Sequence, residues 1–201
     1  MTRVIALTIT LIRHGQTEWN LLKKLQGQRN SPLTKKGVEE AKKLHRITSK
    51  EHYDAIYCSD LGRARQTAQY ALSVDQYTEV KFSGYLRERS FGDFDGVLLS
   101  ELKKNTQDFH NLYHNNTHIP PNGESIEQVK TRIRLCLAYA KTHHKGQHVL
   151  AISHGNFIKY FHDTIGEEGT HPGNTSISQV IFYEDGTHII PLWGDTTHLC
   201  D

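Results

Sequence analysis

The chain has 201 residues, with 24 Lys and Arg against 22 Asp and Glu and a formal net charge of +2. A balance this even gives no broad basic field for nucleic acid or an anionic membrane, so any anion selectivity must be local. At this length a chain buries roughly 70% of the surface it exposes when unfolded, and needs no disulfide or structural metal to hold a core.

The cysteines, Cys58, Cys136 and Cys200, are odd in number and far apart, which fits free thiols in a reducing compartment. The apolar start after Arg3 runs straight into Arg13-His14 without a small-residue cleavage site. No stretch approaches the ~20 apolar residues of a membrane span. A soluble, cytoplasmic protein with no membrane or nucleic-acid partner is expected.

The run Val4 to Ile12 is rich in β-branched residues and predicts a first strand, Thr8 to Ile12, with both faces buried. Asn20 to Leu33 is polar, holds Gly27 and Pro32, and reads as loop. Thr34 is a candidate N-cap for a helix carrying Val38, Ala41, Leu44 and Ile47 at three-residue steps. Asp54 to Cys58 predicts a second strand, and Leu61 to Leu72 a second helix. Val80 to Phe82 predicts a short third strand, followed by Leu86-Arg87-Glu88.

Phe91 to Pro121 is the least regular region and reads as an inserted cover rather than a second domain. Ser125-Ile126-Glu127-Gln128 fits a capping box at the start of a long helix with Ile126, Val129, Ile133, Leu137 and Ala140 on one face, ending near Gly146. His148 to Ile152 predicts a fourth strand, then Ser153-His154-Gly155 and a helix to about Ile165. Ile177 to Tyr183 and His188 to Leu192 predict two closing strands around the Glu184-Asp185-Gly186 turn.

Strands alternating with helices indicate an α/β protein, three layers α/β/α with a mainly parallel central sheet. It is expected to be one domain over 1–201 with a cover insertion at about 91–121. Arg-His-Gly follows the first strand, Ser-Asp-Leu-Gly-Arg the second, Arg-Glu the third and Ser-His-Gly the fourth. In parallel strands these ends share one edge, where open sheets bind ligands.

Arg13, His14, Arg63, Glu88 and His154 are therefore candidates for one pocket. Two arginines offer forks of donors suited to a phosphate dianion. Two histidines supply a nucleophile and a switchable donor, and one carboxyl can protonate a leaving oxygen. The helix after Ser59 could aim backbone N–H groups at the same anion. Such a set needs no metal or other cofactor.

The residues Arg13-His14-Gly15-x-Thr17-x-x-Asn20, Pro32-Leu33-Thr34-x-x-Gly37, Ser59-x-Leu61-x-Arg63-Ala64-x-x-Thr67-Ala68, Leu86-x-Glu88-x-x-Phe91-Gly92, Gly123-Glu124-Ser125 and Ser153-His154-Gly155 resemble the histidine phosphatase superfamily, also called phosphoglycerate mutase-like. The resemblance implies that His14 is a nucleophile that becomes phosphohistidine. It implies that Arg13, Arg63 and His154 clamp the phosphoryl oxygens, that Asn20 and Thr17 line the same pocket, and that Glu88 protonates the leaving alcohol and then activates water. Gln26, Gly27 and Arg87 fall to the substrate. The chain departs from the family at Asn30 and Asp95, where Asp and Glu are common.

The expected activity is phosphomonoester hydrolysis of a small phosphorylated metabolite. The alternatives are a cofactor-dependent phosphoglycerate mutase, disfavoured because the cover has only Lys103 and Lys104 as fixed cations, and a non-catalytic phosphate-binding protein. Tyr113, Phe94, Phe109 and Leu112 suggest an apolar lid. Arg89 reads as a solvated charge. His110, His114 and His118 recur at four-residue steps, a metal-like spacing on a helix, but Asn115-Asn116 and Pro120 argue against a regular helix there.

Overall fold

The structure is a computed structural model that describes residues 3–200. Six strands form one sheet in the order β3-β2-β4-β1-β5-β6. Here β1 is Ile5–Arg13, β2 Ala55–Ser59, β3 Lys81–Ser83, β4 His148–Ser153, β5 Ile177–Tyr183 and β6 His188–Asp195. Strands β1, β4, β2 and β3 run parallel, and β5 and β6 close the sheet antiparallel. The α/β class and the mainly parallel sheet are as the sequence predicts.

The β-branched run in β1 is explained by burial on both faces. Leu7, Ile9 and Leu11 meet Ile126, Val129 and Ile133 of α7 (Ile126–His143) and Phe157 and Phe161 of α8 (Gly155–Thr164). The next residue, Ile12, points the other way, into a cluster with Ile56, Leu150 and Ile152. That cluster is closed by Leu44 of α2 (Lys35–Thr48) and Ala64, Ala68 and Ala71 of α3 (Gly62–Ala71). Side chains alternate along a strand, so one apolar run serves both cores.

Local chemistry sets the helix starts. Thr34 Oγ1 accepts from Gly37 N–H at 2.9 Å, and Ser125 and Gln128 form the reciprocal capping box. Gly37 also has a packing role. A Cβ there would lie 2.1 Å from the Gln16 carbonyl oxygen, so α2 comes this close to the turn after β1 only because residue 37 has no side chain.

Two short helices escape the sequence reading. One is α1 (Glu18–Leu21), which overlaps the predicted loop; the other is α4 (Val74–Thr78), capped by Ser73 and Gln76. Both span about one turn, too few residues for a periodic stripe. The region predicted as irregular contains α5 (Leu99–Leu102) and α6 (Thr106–His114). They surround a separate small cluster of Leu25, Phe91, Leu102 and Leu112. No helix among the described residues is long and apolar enough to cross a membrane.

Candidate active site

The register Arg13↔Ser153 between β1 and β4, and Cys58↔Ile152 between β2 and β4, brings the carboxyl ends of these strands together. A cavity of about 160 Å³ opens there, lined by Arg13, His14, Asn20, Lys24, Leu25, Gln26, Gly27, Arg63, Glu88, Phe91, Tyr113, Asn156 and His171. A larger cavity of about 420 Å³ between α7 and the sheet shares none of these residues. Its lining is almost wholly apolar, so it lacks the groups an anion needs.

The backbone around His14 is tied on every side. Its N–H donates to the Ser153 carbonyl at 3.0 Å, and its carbonyl accepts from Thr175 N–H and from the Asn174 side chain. Its Nδ1–H donates to the Gly15 carbonyl at 2.8 Å, which leaves Nε2 as the lone-pair nitrogen. Nε2 accepts from Arg63 Nε–H at 3.2 Å. Beside it, His154 packs with ring centroids 5.2 Å apart; the ring is fully buried and is not among the residues that line the cavity. Burial, then the Arg63 and Arg13 charges, push His14 well below the usual imidazole range. Burial and Arg63, with His14 and Arg13, do the same to His154. Both rings are neutral at physiological pH, as a nucleophile and its partner require.

Arg63 is fully buried. Its Nη groups donate to the Arg29 carbonyl at 2.9 Å and the Gly27 carbonyl at 2.7 Å. Arg13 donates to the Pro172 carbonyl at 2.6 Å, and its Nε is buried without a partner among the described residues. Burial lowers both guanidiniums to about 10, with Glu88 acting in the opposite direction, so both stay cationic at neutral pH. Glu88 is buried, and its two oxygens accept from Arg89 N–H at 2.8 Å and from Asn156 N–H, in the first turn of α8, at 3.1 Å.

The five predicted core residues are therefore brought together, four of them in the wall and His154 packed against His14, and Asn20, Gln26 and Gly27 join the wall. Thr17 does not reach the cavity. It is the N-cap of α1 and holds Asn20 through bonds of 3.0 to 3.2 Å. Arg87 also lies apart, forming a two-pronged ion pair with Asp60 at 2.7 and 2.6 Å. The start of α3 is not open to an anion as predicted, because Arg63 N–H donates to Asn30 Oδ1 at 3.1 Å. Asn30 is thus an internal cap.

Arg89 is not solvated. It is fully buried, bonded to the Glu124 and Leu112 carbonyls and lying over the Phe91 ring. Of the predicted lid, only Tyr113 faces the cavity, while Leu112, Phe94 and Phe109 belong to the separate cluster. His110 and His114 do share a regular helix, with ring centroids 5.4 Å apart. The helix ends there, before Asn115, and leaves His118 outside it.

Lys24, Asn156 and His171 are additions the sequence reading missed. Asn156 directly follows the Ser-His-Gly block, so its position was available. His171 lies in the irregular segment between α8 and β5, where no pattern points to it. A Cβ on Gly155 would fall 2.2 Å from the His171 ring and 3.2 Å from the Arg13 guanidinium, so the missing side chain at 155 lets these groups gather. Burial, then Arg13, hold His171 below the usual imidazole range, partly offset by Glu88.

A three-layer α/β protein whose strand ends converge on two buried guanidiniums and two neutral imidazoles defines a phosphoryl-group site. The chain belongs to the histidine phosphatase superfamily (branch 1), whose profile matches residues 9–196. It is 31% identical over 197 residues to the metal-independent phosphoserine phosphatase of Arabidopsis thaliana, covering 95% of this chain and 82% of that protein. It is 29% identical over 198 residues to phosphoglycerate mutase-like protein 4 of the same plant, covering 95% and 86%. Among solved structures, the phosphoserine phosphatase of Entamoeba histolytica in complex with 3-phosphoglyceric acid superimposes with a TM-score of 0.84 and 30% identity, covering 96% of this chain and 99% of that one. Family and relatives support phosphatase activity.

Proposed function

We propose that the protein hydrolyses a small phosphomonoester through a covalent phosphohistidine on His14, without a metal. The observation that carries this reading is the Nδ1–H bond from His14 to Gly15, which leaves the Nε2 lone pair on a wall shared with Arg13 and Arg63. Nε2 attacks phosphorus and the ester P–O bond breaks. Glu88 gives a proton to the departing alkoxide. Water then attacks the phosphohistidine, Glu88 takes its proton, and inorganic phosphate leaves. The incoming phosphoryl group displaces the Arg63 Nε–H bond to His14, which frees that donor for a phosphoryl oxygen. The two guanidiniums then stabilise charge spread over the equatorial oxygens.

The substrate is a free metabolite of the cytoplasm. The cations of the cover, Lys103 and Lys104, are absent from the cavity wall, but the Lys24 ammonium stands in it, with His171 as a hydrogen-bonding imidazole. That pair favours an ester carrying a carboxylate near its phosphate, as in the phosphoserine and 3-phosphoglyceric acid held by the Entamoeba structures. Hydrolysis of phosphoserine in the presence of chelator, with an acid-labile label trapped on the protein and lost in His14→Ala, is the expected result. Isomer exchange of phosphoglycerate with a bisphosphate primer and no phosphate release would replace this reading with the mutase.

A further inference from the structure

We propose that Ser59 is a positioning residue: its hydroxyl donates to His154 Nε2 and so fixes the tautomer in which His154 presents Nδ1–H to the phosphoryl group. The inference rests on the phosphatase reading only for its consequence in turnover.

Ser59 ends β2 and is fully buried. Its Oγ lies 2.7 Å from His154 Nε2 and accepts from Leu61 N–H at 3.3 Å. A serine hydroxyl has one proton and two lone pairs. Leu61 takes one lone pair, and His154 Nε2 is the remaining partner within reach. Donation from Ser59 gives its proton an acceptor and leaves the imidazole proton on Nδ1. With the roles reversed, the Ser59 proton has no acceptor, and a bare Nδ1 lone pair sits beside two guanidiniums without drawing a bond from either.

The other end of the ring points to a ligand. His154 Nδ1 and Arg13 Nε are both buried with no hydrogen-bond partner among the described residues. A buried donor left unmade is destabilising, and two of them flanking His14 form a cradle that an oxyanion completes. The hydroxyl of residue 59 therefore decides whether the cradle offers an N–H or a repelling lone pair to the phosphoryl oxygen. The logic matches an orienting group behind a catalytic imidazole, where loss of orientation leaves geometry intact but the proton on the wrong nitrogen.

The test reads the tautomer directly, by two-dimensional 15N–1H correlation of the labelled protein, with the His154 signals assigned by their loss in His154→Gln. The expected spectrum shows Nδ1 protonated and Nε2 bare. A protonated Nε2 in the wild type overturns the proposal, whatever the enzyme's activity. In Ser59→Ala the protein is expected to melt as a folded domain, to show Nε2 protonated, and to bind inorganic phosphate roughly 10-fold more weakly. Its kcat on an aryl phosphate is expected to fall by about 10- to 100-fold with KM changed less than about threefold. Unchanged phosphate affinity in a folded Ser59→Ala protein overturns the role. Absence of turnover in the wild type, with the tautomer as stated, counts against the phosphatase reading instead.

Discussion

The floor and the cover of the cleft are built differently. On the floor, Arg13, His14 and His154 issue from the ends of β1 and β4, and Arg63 from the first turn of α3, just beyond β2. The backbone of His14 is bonded to Ser153 and Thr175, and the Arg63 guanidinium to the carbonyls of Gly27 and Arg29. The cover, α5 and α6, stands on four buried residues, Leu25, Phe91, Leu102 and Leu112. Phe91 and Tyr113, from this cluster and its flank, are its aromatic faces on the cavity. Burial pushes the Tyr113 phenol up to about 12, so it meets a ligand as a neutral ring with a hydroxyl. Phosphoryl transfer needs donors fixed to fractions of an ångström, which strand ends supply. Discrimination between esters tolerates movement, which a small satellite core permits.

Substitutions should separate the two regions. His14→Ala removes the nucleophile and is expected to lower kcat by roughly 10⁴-fold or more on every ester tested. Arg63→Ala is expected to lower kcat/KM by about 10²- to 10³-fold. It strips the buried Gly27 carbonyl and the part-buried Arg29 carbonyl of their donors and should also destabilise by about 1–3 kcal/mol in urea unfolding. Arg63→Lys should not restore activity, because one ammonium cannot meet His14, Gly27 and Arg29 together. Tyr113→Ala and Lys24→Met are expected to leave kcat within about threefold while raising KM, Lys24→Met by roughly 10-fold for phosphoserine and little for an aryl phosphate. If Tyr113→Ala damages kcat as Arg63→Ala does, the division between floor and cover is wrong.

The same contrast explains what the sequence made readable. Arg13, His14, Arg63 and His154 follow apolar strands at fixed offsets, so period and strand order alone place them on one rim. Glu88 follows the shortest strand, Lys81–Ser83, and lies in a loop where the acid reads like any exposed carboxylate; the structure buries it through two backbone N–H groups. Arg87 and Arg89 flank it with equal charge. Only packing tells them apart, one paired with Asp60 and the other sunk among carbonyls. Thr17 belongs to a pocket motif, yet its hydroxyl caps a single helical turn. His171 and Lys24 lie on irregular chain, and only the tertiary fold carries them to Arg13 and Asn20.

The smallest effect concerns acid. His14 and His154 are held neutral, below their unfolded values, by burial and by Arg63 and Arg13. Below the unfolded imidazole value of about 6.5 the unfolded chain takes up protons that the folded floor refuses. Stability is therefore full above that pH and declines as pH falls toward the folded values, by up to about 1.4 kcal/mol per pH unit for each ring. His14→Gln removes one of the two contributions, so its unfolding free energy in urea should drop less between pH 7.5 and pH 5 than the wild type's, by about 2 kcal/mol or less. Phe109→Leu in the cover carries no titrating group and should shift both midpoints together. Inorganic phosphate should flatten the wild-type curve, because an anion between the guanidiniums offsets the charge that keeps the imidazoles neutral. A wild-type slope identical to that of His14→Gln would mean that the imidazole of residue 14 titrates freely, and the floor would lose the preorganisation that sets it apart from the cover.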